Sequence, residues 1–169
     1  DADLFKAAYV AAADNDWAAL VRVVEWGQAM RGSSEMALES SAQGAAFLTA
    51  LRGAWQDDGA DDQLADIETT EIPYAAAVAV AAAQAGIALK PALSAFLHAV
   101  AANLISAGVR LIPLGQTAGQ RVLALQEDVV LGASAAALIR ETEDIGSATP
   151  LIDWASMKHE TQYTRLFRS

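Results

Sequence analysis

Alanine-rich runs, each bounded by residues that start or end helices, are the feature of this sequence that most restricts its fold. The clearest run extends from Tyr74 to Ala85, begins after Pro73 and stops before Gly86. Alanine is the strongest helix former, proline is favoured in the first helical turn, and glycine is favoured just after the last one. Similar runs occupy most of the 169 residues, which are enough for one core. We therefore predict an all-α fold: a single compact helical bundle domain over residues 1–169 with an extended C-terminal tail.

Capping residues and apolar spacing give the positions of the other helices. Asp16 can accept hydrogen bonds from the free amides at the start of one helix, and Thr117 with Gln120 has the spacing of a capping box. The Asp-rich residues 56–66 predict an acidic loop, whose order of acids does not match a calcium-binding EF-hand. The predicted helices cover residues 4–13, 17–31, 33–51, 74–85, 90–110, 117–126, 127–140 and 150–158.

Two of these helices have faces that predict how they pack. An apolar stripe predicts the buried side of helix 90–110, and a row of small residues predicts a close contact for helix 127–140. The first helix is weakly polar all round, which is typical of a helix that is central or covered by a partner. The stripe is Leu93, Phe96, Leu97, Val100 and Leu104, and the row is Val129, Ala133, Ala136 and Ala137.

The charge and hydropathy of the chain argue against several classes of partner. A net charge of −10 and a pI near 4.4 would repel phosphate groups, so we predict no nucleic-acid binding. The most membrane-like run, Ile72 to Leu89, contains Pro73 and Gln84 and is mostly alanine, which favours a buried helix and no membrane. The sequence has no cysteine and no signal peptide at its start, which fits a cytoplasmic protein.

The few residues capable of chemistry do not form a known catalytic or metal-binding pattern. His98 has no second ligand one turn away, and we predict that it is a partly buried, hydrogen-bonded side chain. His159 and Glu160 resemble half of a metalloprotease helix, but Tyr163 stands where the second histidine is needed. The glycines near residue 115 lack P-loop spacing, and no Gly-x-Ser-x-Gly elbow occurs. We therefore predict no enzymatic activity and no directly bound metal or cofactor.

Two groups of residues are predicted to bind partner proteins. Aromatic and arginine side chains, the usual anchors of protein interfaces, crowd together in residues 147–169. A second polar group lies at the turn that follows helix 90–110. The tail group is His159, Glu160, Tyr163, Arg165, Leu166, Phe167 and Arg168, and the turn group is Arg110, Gln116, Thr117, Gln120 and Arg121.

Five segments of the sequence resemble one protein family, and they occur in the family's order. The main ones are Leu114–Arg121 and Ser156–Ser169, supported by Ser33–Ser40, Ala95–Leu104 and Asp144–Leu151. In these segments the chain resembles the urease accessory protein UreF family. The Leu-Pro-x-Gly-Gly-Phe-like stretch with which family members begin is absent, so the chain is expected to be a fragment lacking the amino-terminal segment.

The resemblance implies an all-helical, non-enzymatic maturation factor for nickel urease. In the family, UreF joins UreD, also called UreH, and the nickel-carrying GTPase UreG in a complex that delivers nickel to apo-urease. A homodimer is implied, with nickel and GTP carried by the partner proteins. The tail is then expected to seat on the UreD/UreH-like protein and to become ordered in the complex, and the turn group is a candidate interface for UreD/UreH or UreG.

Two other functions stay open on the sequence. Arg110 or Arg121 could act in trans on UreG as a catalytic GTPase regulator, since an arginine finger accelerates phosphoryl transfer by about 10³–10⁵. An arginine at a helix end also has a purely structural explanation, because it can meet the last carbonyl groups. The chain could instead be a generic helical protein-binding module.

Overall fold

The computed structural model describes residues 1–55, 71–141, 144–146 and 149–163 of the chain. Its described part contains helices and no strand, which confirms the all-α prediction. The predicted acidic loop at 56–66 and the tail residues Arg165, Leu166, Phe167 and Arg168 lie outside the described residues. The helices are α1 (Ala2–Ala13), α2 (Trp17–Ala29), α3 (Ser34–Trp55), α4 (Tyr74–Gln84), α5 (Leu89–Leu111), α6 (Gln116–Leu125), α7 (Glu127–Ile139) and α8 (Pro150–Glu160).

Helix α4 lies at the centre of the core. Six of its eleven residues are buried, and all six are alanine or valine. Their small side chains allow α1 and α3, the main neighbours of α4, to approach closely. Larger side chains from the surrounding elements fill the remaining space, and the largest fully buried ones are Phe5, Leu20, Leu48, Ile72 and Leu93.

The predicted helix boundaries depend on caps that the structure contains. Asp16 accepts a hydrogen bond from the Ala19 amide at 2.8 Å, which confirms its role as the N-cap of α2. After α4, Gly86 has a positive φ of 68°, a conformation that glycine adopts without steric cost. The capping box predicted at Thr117 is wrong, because α6 begins one residue earlier with Gly115 as a cap that has no side chain.

The predicted face of α7 is wrong by one position for most of its residues. The buried residues are Val130, Ser134 and Ala137, whereas Val129 is 62% exposed. Ser134 can be buried because its hydroxyl forms a 3.0 Å hydrogen bond with the hydroxyl of Ser94 on α5. This polar pair turns Ser134, rather than the neighbouring alanine, toward α5.

Helix α5 enters the core with one end only. Leu93 and Phe96 are buried as predicted, but Leu104 is 69% exposed, and His98 is exposed rather than partly buried. The core does not extend far enough along α5 to cover the full apolar stripe.

Helix α5 is long and apolar enough to cross a membrane, with a mean hydropathy of 1.6 over 18 residues. Helices α6 and α7 meet the same criterion if they are counted as one span bent by 41°. Core helices of soluble proteins also meet this criterion.

The close contact between α3 and the segment before α4 depends on a glycine, and it can therefore be tested by substitution. A methyl group added at Gly44 would overlap the backbone carbonyl oxygen of Ile72, whereas nothing lies within 4 Å of one added at Gly53 on the same helix. We expect Gly44→Ala to lower the free energy of unfolding by about 1–3 kcal/mol through overpacking. Gly53→Ala should raise it by up to about 1 kcal/mol, since alanine is the better helix former. Urea denaturation of both variants measures the change in the free energy of unfolding, and equal changes in the two variants would contradict the close packing at Gly44.

Candidate functional site

Helix α8 is attached to the start of α3 by a carboxylate. Oε1 of Glu160 accepts a hydrogen bond from the Ser34 hydroxyl at 2.8 Å and another from the Glu35 amide at 3.2 Å. The first amides of a helix have no partner within it, and they form its positive end. Glu160 therefore acts as a cap for α3 although it belongs to another helix.

Two further polar contacts join the same helices. Nδ1 of His159 lies 2.7 Å from Oε1 of Glu35, a contact that becomes an ion pair when the imidazole is protonated. The hydroxyls of Ser33 and Ser156 are 2.6 Å apart, and Ser33 also accepts from the Met36 amide at 3.2 Å, as a cap of its own helix. The contact between α8 and α3 is therefore largely polar.

Four large apolar side chains of α8 are exposed. We call Leu151, Ile152, Trp154 and Met157 the outer face of α8; their exposed fractions run from 48% to 80%. Leu151 and Trp154 lie opposite the polar contacts with α3, with Lys158 over the Trp154 ring, whereas Ile152 and Met157 flank those contacts. No residue of α8 is buried. An ordinary surface helix turns its apolar side to the core, so α8 has the reverse orientation. Exposed apolar patches of this kind mark interaction sites.

A second group of exposed apolar side chains is distributed over the second half of α5, α6 and the start of α7. We call it the distal surface; it consists of Leu104, Leu111, Ile112, Val122, Leu125 and Val129. Gly119 fixes α6 on α5, since a Cβ atom there would lie 2.7 Å from Cγ2 of Val109. Residues 72–126 contain no Asp or Glu, in a chain whose net charge is −10. All of the distal surface except Val129, which follows Glu127 and Asp128, thus belongs to an acid-free part of an acidic protein.

The turn group predicted from sequence adjoins the distal surface. Gln116, Thr117, Gln120 and Arg121 are all exposed on α6, and their spacing places them on one side of it. Arg110 is exposed near the end of α5. In the tail group, Tyr163 is 98% exposed, whereas His159 and Glu160 are partly buried by their contacts with α3.

Sequence reasoning missed the outer face of α8 although its pattern was visible. Leu151, Trp154 and Lys158 have the i, i+3, i+7 spacing of one helical side. Asp153, Ser156 and Glu160 have the same spacing on the other side, and it is this polar row that meets α3.

The remaining charged clusters have structural roles. Lys6 donates to the carbonyl oxygens of Leu138 and Arg140 at the end of α7, and Arg140 pairs with Asp3 at 2.8 Å, beside a cavity of about 380 Å³. Burial lowers the pKa of Arg31, an effect that the negative charge of Glu39 opposes. Over the described residues, no group of three or more His, Asp or Glu side chains is placed to hold a metal ion.

Comparison with known proteins identifies the family. The UreF family model matches residues 1–127. Urease accessory proteins UreF from Rhodopseudomonas palustris, Bradyrhizobium diazoefficiens and Granulibacter bethesdensis are 47%, 46% and 47% identical to the chain over all 169 residues. Those residues span 70%, 69% and 71% of the three relatives' own lengths. The chain therefore belongs to the UreF family of urease accessory proteins, and it is an accessory protein rather than an enzyme.

Proposed function

We propose that this chain is a cytoplasmic scaffold in urease maturation, which joins a UreD/UreH-like protein and the GTPase UreG so that nickel can be inserted into apo-urease. Family membership supports a role in urease maturation, since the matching relatives carry the name urease accessory protein. In this proposal nickel and GTP are carried by the partners, and the chain contributes binding surfaces only.

The observation that carries the proposal is the reversed orientation of α8. A helix held by polar contacts leaves Leu151 80% and Trp154 57% exposed, and tryptophan is a usual anchor of protein interfaces. We assign the outer face of α8 to the UreD/UreH-like protein. Tyr163, three residues beyond the end of α8, is exposed as well, and Arg165, Leu166, Phe167 and Arg168 follow it in the chain.

The distal surface is assigned to a second copy of the chain. In a symmetric dimer the same patch meets itself, so a like charge within it would be repelled by its own copy. Because residues 72–126 contain no acid, repulsion between carboxylates is confined to the part of the surface that carries Val129, next to Glu127 and Asp128. The exposed polar side of α6, together with Arg110, is the proposed contact for UreG or for the UreD/UreH-like protein.

The assignment of the outer face is tested by two substitutions. We expect Leu151→Ser and Trp154→Ala each to weaken capture of the UreD/UreH-like protein by about tenfold or more, because truncation of an interface anchor typically costs about 2 kcal/mol or more. Affinity is measured with immobilised chain and purified partner. The matched control is Val21→Ser, an apolar residue 47% exposed on α2. Unchanged affinity in both test variants, or an equal loss in the control, would remove the outer face from the interface.

The proposed dimer is tested by a charge placed on the distal surface. Leu125 is 76% exposed, so Leu125→Asp leaves the core intact, but in a dimer it brings two like charges together. We expect a shift from dimer to monomer in sedimentation velocity, with Val21→Asp as the control of equal charge. A wild-type chain that is monomeric at micromolar concentration would contradict the assignment.

A catalytic effect on UreG is the alternative that Arg121 supports, since its side chain is exposed on α6. The scaffold proposal predicts that Arg121→Ala leaves the rate of single-turnover GTP hydrolysis by UreG unchanged in the presence of the chain. An arginine finger would instead make the variant slower by about 10³-fold or more. Arg22→Ala, at an exposed arginine on α2, controls for the loss of positive charge.

A further inference from the structure

The contacts between α8 and α3 follow one another along both segments. Asp153 lies against Gly32, where an added Cβ atom would be 3.0 Å from Cβ of Asp153 and would overlap its carboxylate. Ser156 meets Ser33, and Glu160 meets Ser34 and Glu35. The polar row of α8 thus lies along four consecutive residues, and this register fixes the rotation of α8 about its own axis.

The carboxylate of Glu160 lies at the end of its own helix where a negative charge is unfavourable. Glu160 is the last residue of α8, where the helix dipole is negative and a carboxylate is unfavourable. The same carboxylate lies at the positive end of α3 and accepts two hydrogen bonds there. Its position is therefore favourable for the contact between the helices and unfavourable for α8 alone.

We propose that Glu160, with His159 and residues 32–35, forms a latch that sets the orientation of α8 and so turns its outer face toward solvent. Glu160 is a positioning residue in this role: it acts on a partner only through the helix that it holds. The consequence for partner binding rests on the proposed function of the outer face. The latch itself is a property of the isolated chain and can be tested without any partner.

Hydrogen exchange of the full chain tests the latch. A Glu160 that serves only α8 and a Glu160 that holds α8 on α3 predict opposite changes in the amide exchange rates of α8 when Glu160 is replaced by alanine. If Glu160 served α8 alone, Glu160→Ala would slow exchange in α8, since it removes an unfavourable charge and adds a better helix former. If Glu160 is a latch, amide exchange in residues 154–159 should become faster by about tenfold or more, as expected for the loss of hydrogen bonds to a charged group. The Glu35 amide, which donates to Glu160, should lose its protection.

Two variants complete this experiment. Glu160→Gln keeps an accepting oxygen and should give exchange rates between those of wild type and Glu160→Ala. Glu25→Ala, which removes an exposed acid on α2, should change neither α8 nor the Glu35 amide. Unaltered or slower exchange of α8 in Glu160→Ala would overturn the latch, as would a Glu160→Gln variant at least as fast as Glu160→Ala. Protected amides in α4 show in each case that the core is folded.

Partner capture by the same variants separates the latch from the proposed function. Glu160→Ala should weaken capture of the UreD/UreH-like protein, and Glu160→Gln should restore part of the affinity. If exchange in α8 accelerates while capture stays unchanged, the latch stands and the assignment of the outer face fails. If capture falls while exchange stays unchanged, Glu160 contacts the partner itself and the latch is overturned.

Discussion

The close approach of α1 and α3 to α4 is the constraint on which the rest of the structure depends. It requires small residues at the points of contact: alanine along most of α4, and Gly44 against the Ile72 carbonyl. Gly27 has the same role between α2 and α1, where it lies against Leu4. Alanine buries little area, so larger side chains from the neighbouring helices supply most of the hydrophobic stabilisation. Phe5 and Phe96 do so together, with ring centroids 5.0 Å apart. The core is therefore narrow, and it ends where these side chains end.

A narrow core leaves the later helices to depend more on polar contacts. Helix α7 contributes Ala137 to the core, and it is also held by the Ser94–Ser134 hydrogen bond and by Lys6, which satisfies carbonyl oxygens at its end. Helix α8 is positioned by polar contacts with α3. The polar contacts of α8 leave its apolar side chains exposed on the outer face, and the limited extent of the core leaves those of the distal surface exposed. The chain therefore keeps two apolar surfaces outside its core.

The sequence predicted the helices well because their limits depend on local chemistry. The ends of the helices are set by residues next to them in the sequence: Asp16 and Ser33 cap the helices that follow them, and Gly86 adopts the positive φ that ends α4. Which side of a helix is buried depends on distant partners, and there the local pattern failed. Ser134 lies at the α7 contact because Ser94, forty residues earlier, supplies its hydrogen bond. The apolar stripe of α5 continued to Leu104 although the core does not.

The same distinction applies to the candidate site. Tyr163, Gln116, Thr117, Gln120 and Arg121 were predicted to face partners, and all are exposed. The outer face of α8 was missed because an apolar stripe is normally assigned to the core, and only the contacts of Ser33, Ser34 and Glu35 reveal the opposite orientation. The family resemblance indicated a tail that binds, but it did not indicate that the tail begins with a helix already held in place.

The energies involved suggest why such a helix is useful to a scaffold. Burying Leu151 or Trp154 on a partner would contribute roughly 1.5–3 kcal/mol each, whereas one hydrogen bond of the latch contributes about 0.5–3 kcal/mol, depending on its charge. The partner would use one side of α8, and the latch uses the other. Neither contact has to break for the other to form. A helix held in advance also loses less conformational entropy when the partner arrives, and binding then needs no refolding of α8.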